Sequence, residues 1–260
     1  MINQPALTLA ALAWRESDHL QACFDSLASL KANTMARTLI VLDDNADDAT
    51  RTMAVKLADN VATRRFISFS HQRNAALSLA DTEWVFFIDP DERCTPPLAL
   101  EIEKAITSAT HSAYRVPRRN ILFGREVKHT GWWPDYQVRL MRREDCHYDE
   151  SIRVHERPLV NGSTGTLSEP LIHYNYTTWS QFATKQKAYA HLEAEALWSA
   201  GRRPRPRSLV GQPLRELKRR LVDYRGYKDG ALGVALSFAM ALYSLEVQRQ
   251  LLLIRARHRA

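Results

Sequence analysis

The stretch Trp84-Val-Phe-Phe-Ile-Asp-Pro-Asp-Glu92 decides the fold class. Its first five residues are apolar, which is typical of a strand buried on both faces, and such strands belong to parallel sheets. The apolar run ends at Asp89, and two further carboxylates follow within three residues. We therefore place Asp89 and Asp91 at the carboxyl end of a central strand, on the edge of an open α/β sheet where ligands bind.

Predicted strands and helices alternate on both sides of this stretch. The predicted strands are Leu7–Ala13, Thr38–Leu42, Phe66–Phe69 and Trp84–Ile88, and the predicted helices are the segment around residues 20–30, Arg51–Ala58, Gln72–Ala80 and Leu98–Ile106. This alternation over the first 115 residues predicts βαβ units, so the fold class is α/β with a mostly parallel central sheet and flanking helices. Asp43, which follows the second strand, is expected on the same edge of the sheet as Asp89.

The second half of the chain has a different organisation. Short β-like pieces extend from Tyr114 to Tyr176, and a helix is predicted over Thr178–Ala200. A basic linker interrupted by prolines then leads to two more helices, at about Pro213–Tyr224 and Ala231–Ile254. We therefore expect a catalytic domain over residues 1–200 and a helical C-terminal extension over residues 201–260.

The net charge of +7 is unevenly distributed along the chain. Residues 201–260 contain 14 basic and 4 acidic residues, whereas the first 200 contain 22 and 25. Basic residues beside a largely apolar helix favour binding of the extension to an anionic membrane surface. The alternative is a basic face exposed to solvent, with the helix packed on the body or on a second copy as a homodimer. No nucleic acid is expected as a partner, because no recognition motif accompanies the charge.

Cysteine usage and hydropathy predict the compartment. The three cysteines form no Cys-x-x-Cys pair, which favours a reducing cytoplasm. The apolar start, Met1–Ala13, has no basic residue and is expected to be a strand rather than a signal peptide. The longest apolar stretch, Ala231–Leu245, ends at Glu246, so no membrane span is expected. The predicted location is the cytoplasm, with peripheral attachment to the inner face of the cell membrane.

The paired carboxylates carry the strongest chemical signal. Mg²⁺ prefers oxygen ligands and is often held by one or two carboxylates together with substrate phosphates. Asp89 and Asp91 therefore predict a site for a metal and a diphosphate, the alternative being a solvated turn. A second acidic cluster, Asp43–Asp48, lacks the glycine and distal glutamate of an EF-hand. In that cluster Asp47 or Asp48 is expected to cap a helix, and Asp43 to contact a ligand.

The ordered set of motifs resembles glycosyltransferase family 2, whose members have the GT-A fold, and in particular its bacterial lipopolysaccharide-core subset. The segments that carry the resemblance are Ala13–Glu16, Val41–Thr50, Gln72–Ala76, Asp89–Glu92, Gly131–Asp135, Arg139–Arg143, Val154–Glu156, His173–Tyr174 and Gly226–Gly230. Two positions depart from the family pattern: Trp14-Arg15 and Asp44-Asn45-Ala46 replace residues that usually border the nucleotide. Uridine is therefore not assigned as the base.

The resemblance implies a nucleotide-diphosphosugar donor lying along the strand ends. By this resemblance Glu16 and Asp43 hydrogen-bond the base or ribose, Asp89 reaches the ribose or a metal, and Asp91 ligates Mg²⁺ or Mn²⁺. Arg73 is expected to assist the phosphates and His173 to complete the metal site. The remaining residues expected beside the donor are Ala13 and Pro90. A structural zinc site is disfavoured, because the histidines and Cys146 lack close ligand spacing.

The resemblance also implies direct displacement with inversion at the anomeric carbon, which requires one general base. Glu156 is the first choice and Asp135 the second. The alternative for Glu156 is an ion pair with Arg153 or Arg157. Trp132, Trp133 and Arg139 are expected to contact the acceptor sugar, the alternative for the tryptophans being a role in the core.

We therefore expect a metal-dependent inverting glycosyltransferase that acts on a cell-surface glycan, of lipopolysaccharide-core type or otherwise lipid-linked. Two other functions stay open. One is a catalytically silent scaffold of the same fold that binds nucleotide-sugars, which the altered residues 14–15 and 46 suggest. The other is transfer to a polyprenyl phosphate, which usually requires membrane-spanning helices.

Overall fold

The computed structural model describes residues 6–151 and 156–258. Internal contacts divide the chain into two compact units. The first contains the described residues up to Arg118 and those from Tyr136 to His173. The second contains Arg119–Asp135 and the described residues from Tyr174 onward. This grouping differs from the predicted division at residue 201, because helix Trp179–Ser199 packs with the C-terminal helix of the second unit.

The first unit begins with four parallel strands in the order β3-β2-β1-β4. The strands are β1 (Leu7–Ala13), β2 (Arg37–Asp43), β3 (Asn60–Arg64) and β4 (Trp84–Phe87), and the helices between them are α1 (Ser17–Ser26), α2 (Ala28–Thr34), α3 (Asp48–Leu57) and α4 (Phe69–Leu79). The α/β prediction is confirmed, since strand and helix alternate as expected. Asp43 is the last residue of β2 and Asp89 lies two residues beyond β4, and these two strands flank β1.

One predicted strand, Phe66–Phe69, is wrong. The third strand lies earlier, at Asn60–Arg64, and Phe69 is the first residue of α4. The Ser68 hydroxyl accepts a hydrogen bond from the His71 amide at 3.1 Å, which caps the helix. Phe66 and Phe69 are half exposed, so their aromatic character does not indicate a buried strand.

Helix caps agree with the expectation at α3. The Asp47 carboxylate accepts from the Thr50 amide at 2.7 Å, so Asp47 rather than Asp48 is the cap. Helix α5 (Pro96–Ser108) begins with two prolines, which fit its first turn because those positions need no intrahelical donor. The Thr95 hydroxyl accepts from the Leu98 amide and closes this N-terminus.

Further strands extend the sheet beyond β4 in the order β8-β6-β12-β5. They are β5 (Glu92–Arg93), β6 (Ala113–Leu122), β8 (Asp135–Arg142) and β12 (Leu171–Tyr176), with the short strands β7 (Arg125–Glu126) antiparallel and β11 (Thr164–Thr166) parallel to β6. A separate ribbon is formed by β9 (Cys146–Tyr148) and β10 (Pro158–Val160). Strand β8 pairs with β4, with Leu140 opposite Phe86. Strand β12 pairs with β5, with His173 opposite Glu92.

Strand β4 is buried on both faces, as its unbroken apolar run predicts. Trp84, Phe86 and Ile88 contribute to one hydrophobic cluster, and Val85 and Phe87 to another. All five are at most 1% exposed. Alternate side chains therefore serve opposite faces of the sheet, and the acidic loop that follows β4 starts from a strand held on both sides.

The second unit contains three long helices. They are α6 (Trp179–Ser199), α7 (Ser208–Lys218) and α8 (Gly230–Arg257), with a π-helical turn at Arg219–Asp223 and a 3₁₀ turn at Gly226–Asp229 between α7 and α8. One cluster joins α6 to α8 through Ala190, Ala194, Val247 and Leu251. A second cluster joins Leu122 and Val127 to Phe182 and Leu236.

By length and composition, one helical segment in the described chain could cross a membrane. It spans Gly226–Arg257, has a mean hydropathy of 1.6 and is 33% buried in its most apolar window. The core helix of a soluble protein meets the same standard of length and composition, so the expectation that the chain does not span a membrane stays a prediction.

We predict that Phe86→Ala destabilises the protein by about 3–5 kcal/mol, because it leaves a cavity in a cluster from which water is excluded. Urea unfolding of both proteins measures the difference. Val55→Ala is the control, since Val55 is 71% exposed and should lose less than about 0.5 kcal/mol. Equal losses in the two variants would contradict the burial of β4.

Candidate functional site

Asp89, directly beyond β4, is held by three contacts within the first unit. Its carboxylate accepts from Arg73 on α4 at 3.2 Å and, through the other oxygen, from Arg139 on β8. Its backbone N–H donates to the Glu92 carboxylate at 3.0 Å. Burial alone would raise the pKa of Asp89, but the charges of Arg139 and Arg73 outweigh it and hold that pKa well below its usual range.

Glu92 and Arg139 form a buried ion pair behind Asp89. Glu92 is fully buried and Arg139 is 3% exposed, and their nearest charged atoms are 2.6 Å apart. Arg118 lies 3.4 Å from the same Glu92 oxygen. Burial would lower the pKa of Arg139, but Asp89 and Glu92 raise it above its usual value. Both charges therefore persist in the interior, each compensated by the other.

The expected contact of Arg139 with an acceptor sugar is not supported by this geometry. Its guanidinium is directed at Asp89 and Glu92 and is almost entirely buried. Arg139 therefore supports the acidic loop. No pattern in the sequence links Arg139 to Glu92, 47 residues away, and Glu92 itself was missed because it looks like one more acid in a polar turn.

Asp91 has a different partner from Asp89. Its carboxylate lies 3.3 Å from His173 Nε2, a contact that the pairing of β5 with β12 brings about. The His173 side chain is 8% exposed and that of Asp91 is 29% exposed. Two of the three residues that were expected to hold a metal, Asp91 and His173, thus lie side by side.

This pair meets part of what a divalent cation needs. One carboxylate and one imidazole do not enclose a cation, and residues 6–151 and 156–258 contain no group of three or more His, Cys, Asp or Glu that could hold one. A Mg²⁺ site of one or two protein ligands completed by substrate phosphates fits the pair. Asp89 fits less well as a ligand, because both of its oxygens are bonded to guanidinium groups.

The two carboxylates expected beside the nucleotide shape the loops that follow β1 and β2. Glu16 Oε2 accepts from the amides of Trp14 and Arg15, at 2.6 and 2.8 Å. Asp43 Oδ1 accepts from the Asn45 amide at 2.7 Å. The second oxygen of each carboxylate takes no part in these bonds. The Trp14 indole, which follows Ala13, donates to the Asn45 carbonyl and so ties the two loops together.

Arg73 connects the predicted base to the acidic loop. Its Nε lies 3.7 Å from Glu156, while its Nη2 bonds to Asp89. The Arg73 guanidinium also lies over the rings of Phe87 and Tyr148, at 5.2 and 5.9 Å. Among the residues that the structure describes, the partner of Glu156 is therefore Arg73 rather than Arg157. The other arginine considered from the sequence, Arg153, lies outside the described residues, together with Val154 and His155 of the same motif.

Tyr148 is a second residue that the sequence did not single out. It is 4% exposed, and its burial raises the pKa of the phenol to about 12. Pro90, expected beside the donor, is buried, and its carbonyl accepts from Arg93 at 2.8 Å. Both residues therefore support the site from within the first unit.

The two tryptophans expected at the acceptor and the second candidate base, Asp135, lie in the second unit, around the Trp133–Pro134 cis peptide. Trp132 packs against the cluster that contains Leu122 and Phe182, whereas Trp133 is 40% exposed. The Asn120 amide donates to the Trp132 carbonyl at 2.9 Å and to the Asp135 carboxylate at 3.4 Å. The two tryptophans therefore differ, with one anchored in the core and the other presented at the surface.

Comparison with known proteins agrees with this geometry. The family Glycosyl transferase family 2 matches residues 12–153, which is more than half of the chain. The chain is 26% identical over 225 residues to the lipopolysaccharide core biosynthesis glycosyltransferase LpsC of Rhizobium meliloti (strain 1021), covering 82% of this chain and 79% of that protein. It is also 26% identical to an uncharacterized glycosyltransferase of Rickettsia conorii (strain ATCC VR-613 / Malish 7), covering 64% of this chain and 62% of that protein.

Solved structures similar to this chain include that of S. aureus TarS 1-349, with a TM-score of 0.48 and 15% identity over 71% of this chain and 64% of that one. The same protein in complex with UDP-GlcNAc gives a TM-score of 0.49 and 14% identity over 71% and 65% of the two chains. The family match covers the strand ends, the acidic loop and β8. The chain therefore belongs to glycosyl transferase family 2.

Proposed function

We propose that this glycosyltransferase moves a sugar from a nucleotide-diphosphosugar to a cell-envelope glycan, with inversion at the anomeric carbon. The observation that carries the proposal is the loop after β4, in which Asp89 is held by two arginines and Asp91 lies beside His173. The relation to LpsC, a lipopolysaccharide core biosynthesis glycosyltransferase, supports a lipopolysaccharide-core-like or other lipid-linked acceptor.

Asp91 and His173 are the residues that would hold Mg²⁺ or Mn²⁺. Such an ion would neutralise charge that develops on the departing nucleoside diphosphate. The fixed arginine contacts of Asp89 favour a different role for that carboxylate, which is to accept a hydrogen bond from the ribose. The position and the negative charge of the Asp89 carboxylate are fixed by its contacts, so this group need not reorganise when a donor binds.

The nucleoside would lie along the ends of β1 and β2. Glu16 and Asp43 each use one oxygen to shape a loop and have a second oxygen to offer a base or ribose. Trp14 is 46% exposed and has the Arg15 guanidinium 4.6 Å from its ring centroid. An aromatic face with a cation beside it suits a planar base, whose identity these contacts do not select.

Transfer would proceed by direct displacement. The acceptor hydroxyl oxygen bonds to the anomeric carbon, the bond from that carbon to the phosphate oxygen breaks, and the hydroxyl proton passes to a carboxylate. Glu156 is proposed as this base because Arg73 links it to Asp89 within the first unit. Asp135 stays the second choice, with Asn120 as its hydrogen-bond donor.

The exposed Trp133 is the better of the two tryptophans for stacking on an acceptor sugar, since Trp132 is engaged in the core. A lipid-linked acceptor would make attachment to the cytoplasmic face of the membrane useful. Three apolar residues of α8 are exposed at a spacing of four and three residues: Phe238, Leu242 and Leu245. They would contact either a lipid surface or a second copy of the chain.

The Asp91→Ala variant tests the metal and diphosphate site. We predict a loss of at least about a hundredfold in Mn²⁺-dependent release of nucleoside diphosphate across a panel of UDP- and GDP-sugars. The control is Asp25→Ala, since Asp25 is an exposed acid on α1 whose carboxylate accepts a hydrogen bond from Gln21 in the same helix. If the wild-type protein binds nucleotide-sugars in the presence of Mn²⁺ but neither hydrolyses nor transfers them, the silent-scaffold function replaces this proposal, and if it binds none, the donor site proposed here is wrong.

The base assignment is tested by comparing Glu156→Gln with Asp135→Asn, because each keeps the shape of the side chain and removes its basicity. Glu156→Gln should bind donor as the wild type does and lose transfer by about 10²–10⁴-fold. Donor binding is followed by the rise in melting temperature that a ligand of the native state produces. Near-normal turnover of Glu156→Gln, with loss in Asp135→Asn, would transfer the role to Asp135.

A further inference from the structure

A basic cavity lies in the second unit, where α6 and α8 end. Its volume is about 480 Å³, and its lining residues are Trp198, Arg203, Pro204, Arg205, Arg255 and His258. Three of the six are arginines and none is acidic. The proposed transfer reaction uses none of these residues.

Two of the three arginines of this cavity are held in place by groups that carry no charge. The Arg203 guanidinium lies 3.9 Å from the centroid of the Trp198 ring and donates to the Trp198 carbonyl at 3.0 Å. The His258 ring stacks on Trp198 with centroids 5.0 Å apart and an interplanar angle of 15°. Arg255 donates to the Pro204 carbonyl. Two of the guanidinium groups are therefore fixed while their positive charges stay uncompensated.

Four other cations of the basic C-terminal segment, residues 201–260, are ion-paired. Arg219 and Arg220 pair with Glu216, Lys218 pairs with Asp223, and Arg249 pairs with Glu246. Among the residues that the structure describes, no carboxylate lies within ion-pair distance of the cavity arginines. Three arginines without a carboxylate within that distance therefore surround one concave site, where like charges repel unless an anion enters.

We propose that this cavity binds a phosphate group. A guanidinium has five donors in a planar fork that matches phosphate oxygens, and the carbonyl contacts occupy one nitrogen each in Arg203 and Arg255. The volume exceeds that of a phosphate ion and lies in the range of small-molecule sites, so a phosphoester with an attached polar group fits. The phosphate would come either from an anionic lipid headgroup or from a soluble phosphorylated saccharide.

Arg205→Gln is the variant that tests the cavity with the least structural disturbance. The Arg205 side chain is exposed and makes no hydrogen bond to the described residues, so its loss should leave folding intact. The matched control is Arg207→Gln. Arg207 lies two residues after Arg205, is also exposed and does not line the cavity, so the variant removes the same charge outside the proposed site. Circular dichroism of both variants establishes that α6 and α8 are retained.

Inorganic phosphate and glucose 1-phosphate are titrated by calorimetry at constant ionic strength. Wild type and Arg207→Gln should bind with equal affinity, and Arg205→Gln about tenfold more weakly, as expected from the loss of one charge-assisted hydrogen bond. Equal weakening in the two variants, or no phosphate binding by the wild type, would overturn the proposal. The same titration of Asp91→Ala separates this cavity from the donor site, because Asp91→Ala should bind as the wild type does.

Vesicles distinguish the two sources of phosphate. Sedimentation is measured with phosphatidylcholine vesicles and with vesicles that also contain phosphatidylglycerol. If the lipid headgroup is the ligand, Arg205→Gln loses affinity for the anionic vesicles and Arg207→Gln does not. If a soluble phosphoester is the ligand, both variants sediment alike and only the calorimetric difference persists. Either pattern supports a phosphate site, and neither depends on transfer activity.

Discussion

The buried ion pair between Glu92 and Arg139 is the constraint on which the site depends. Two charges removed from water are stable only if each finds the other in good geometry and the remaining polar atoms are satisfied. Here Glu92 also accepts from the Asp89 amide, and Arg139 also donates to the Asp89 carboxylate. The acidic loop therefore cannot rearrange without leaving a charge unpaired in the interior, which costs several kcal/mol.

This constraint separates the roles of two aspartates that look equivalent in the sequence. Asp89 and Asp91 have side chains of equal exposure, 29% in each case, yet one faces two guanidinium groups and the other an imidazole. An aspartate committed to arginines has a fixed charge and a fixed direction, whereas one beside a histidine can still accept a cation. The motif thus combines a rigid hydrogen-bond acceptor with an adaptable ligand.

The sequence could predict features that depend on contacts between neighbouring residues, but not those that depend on contacts between residues distant in the chain. Strand Leu7–Ala13 and a cap of α3 at Asp47 or Asp48 depend on neighbouring residues, and the structure confirms the strand and a cap at Asp47. The strand expected at Phe66–Phe69 was wrong, since a local cap at Ser68 outweighed aromatic residues that lie at the surface. Arg139 was assigned to the acceptor because its true partners are distant in the chain, and only the pairing of β4 with β8 brings them together.

The charges of the basic C-terminal segment are a second case in which the sequence does not show which residues pair. Its net +10 does not distinguish an arginine paired with Glu216 from one fixed against the Trp198 ring, although only the second retains an uncompensated charge. Partners respond to the local field, and paired charges contribute little to it beyond a Debye length of about 8 Å in physiological salt. A binding site for an anion would therefore depend on how closely the cavity brings Arg203, Arg205 and Arg255 together, and the net charge of the segment does not show this.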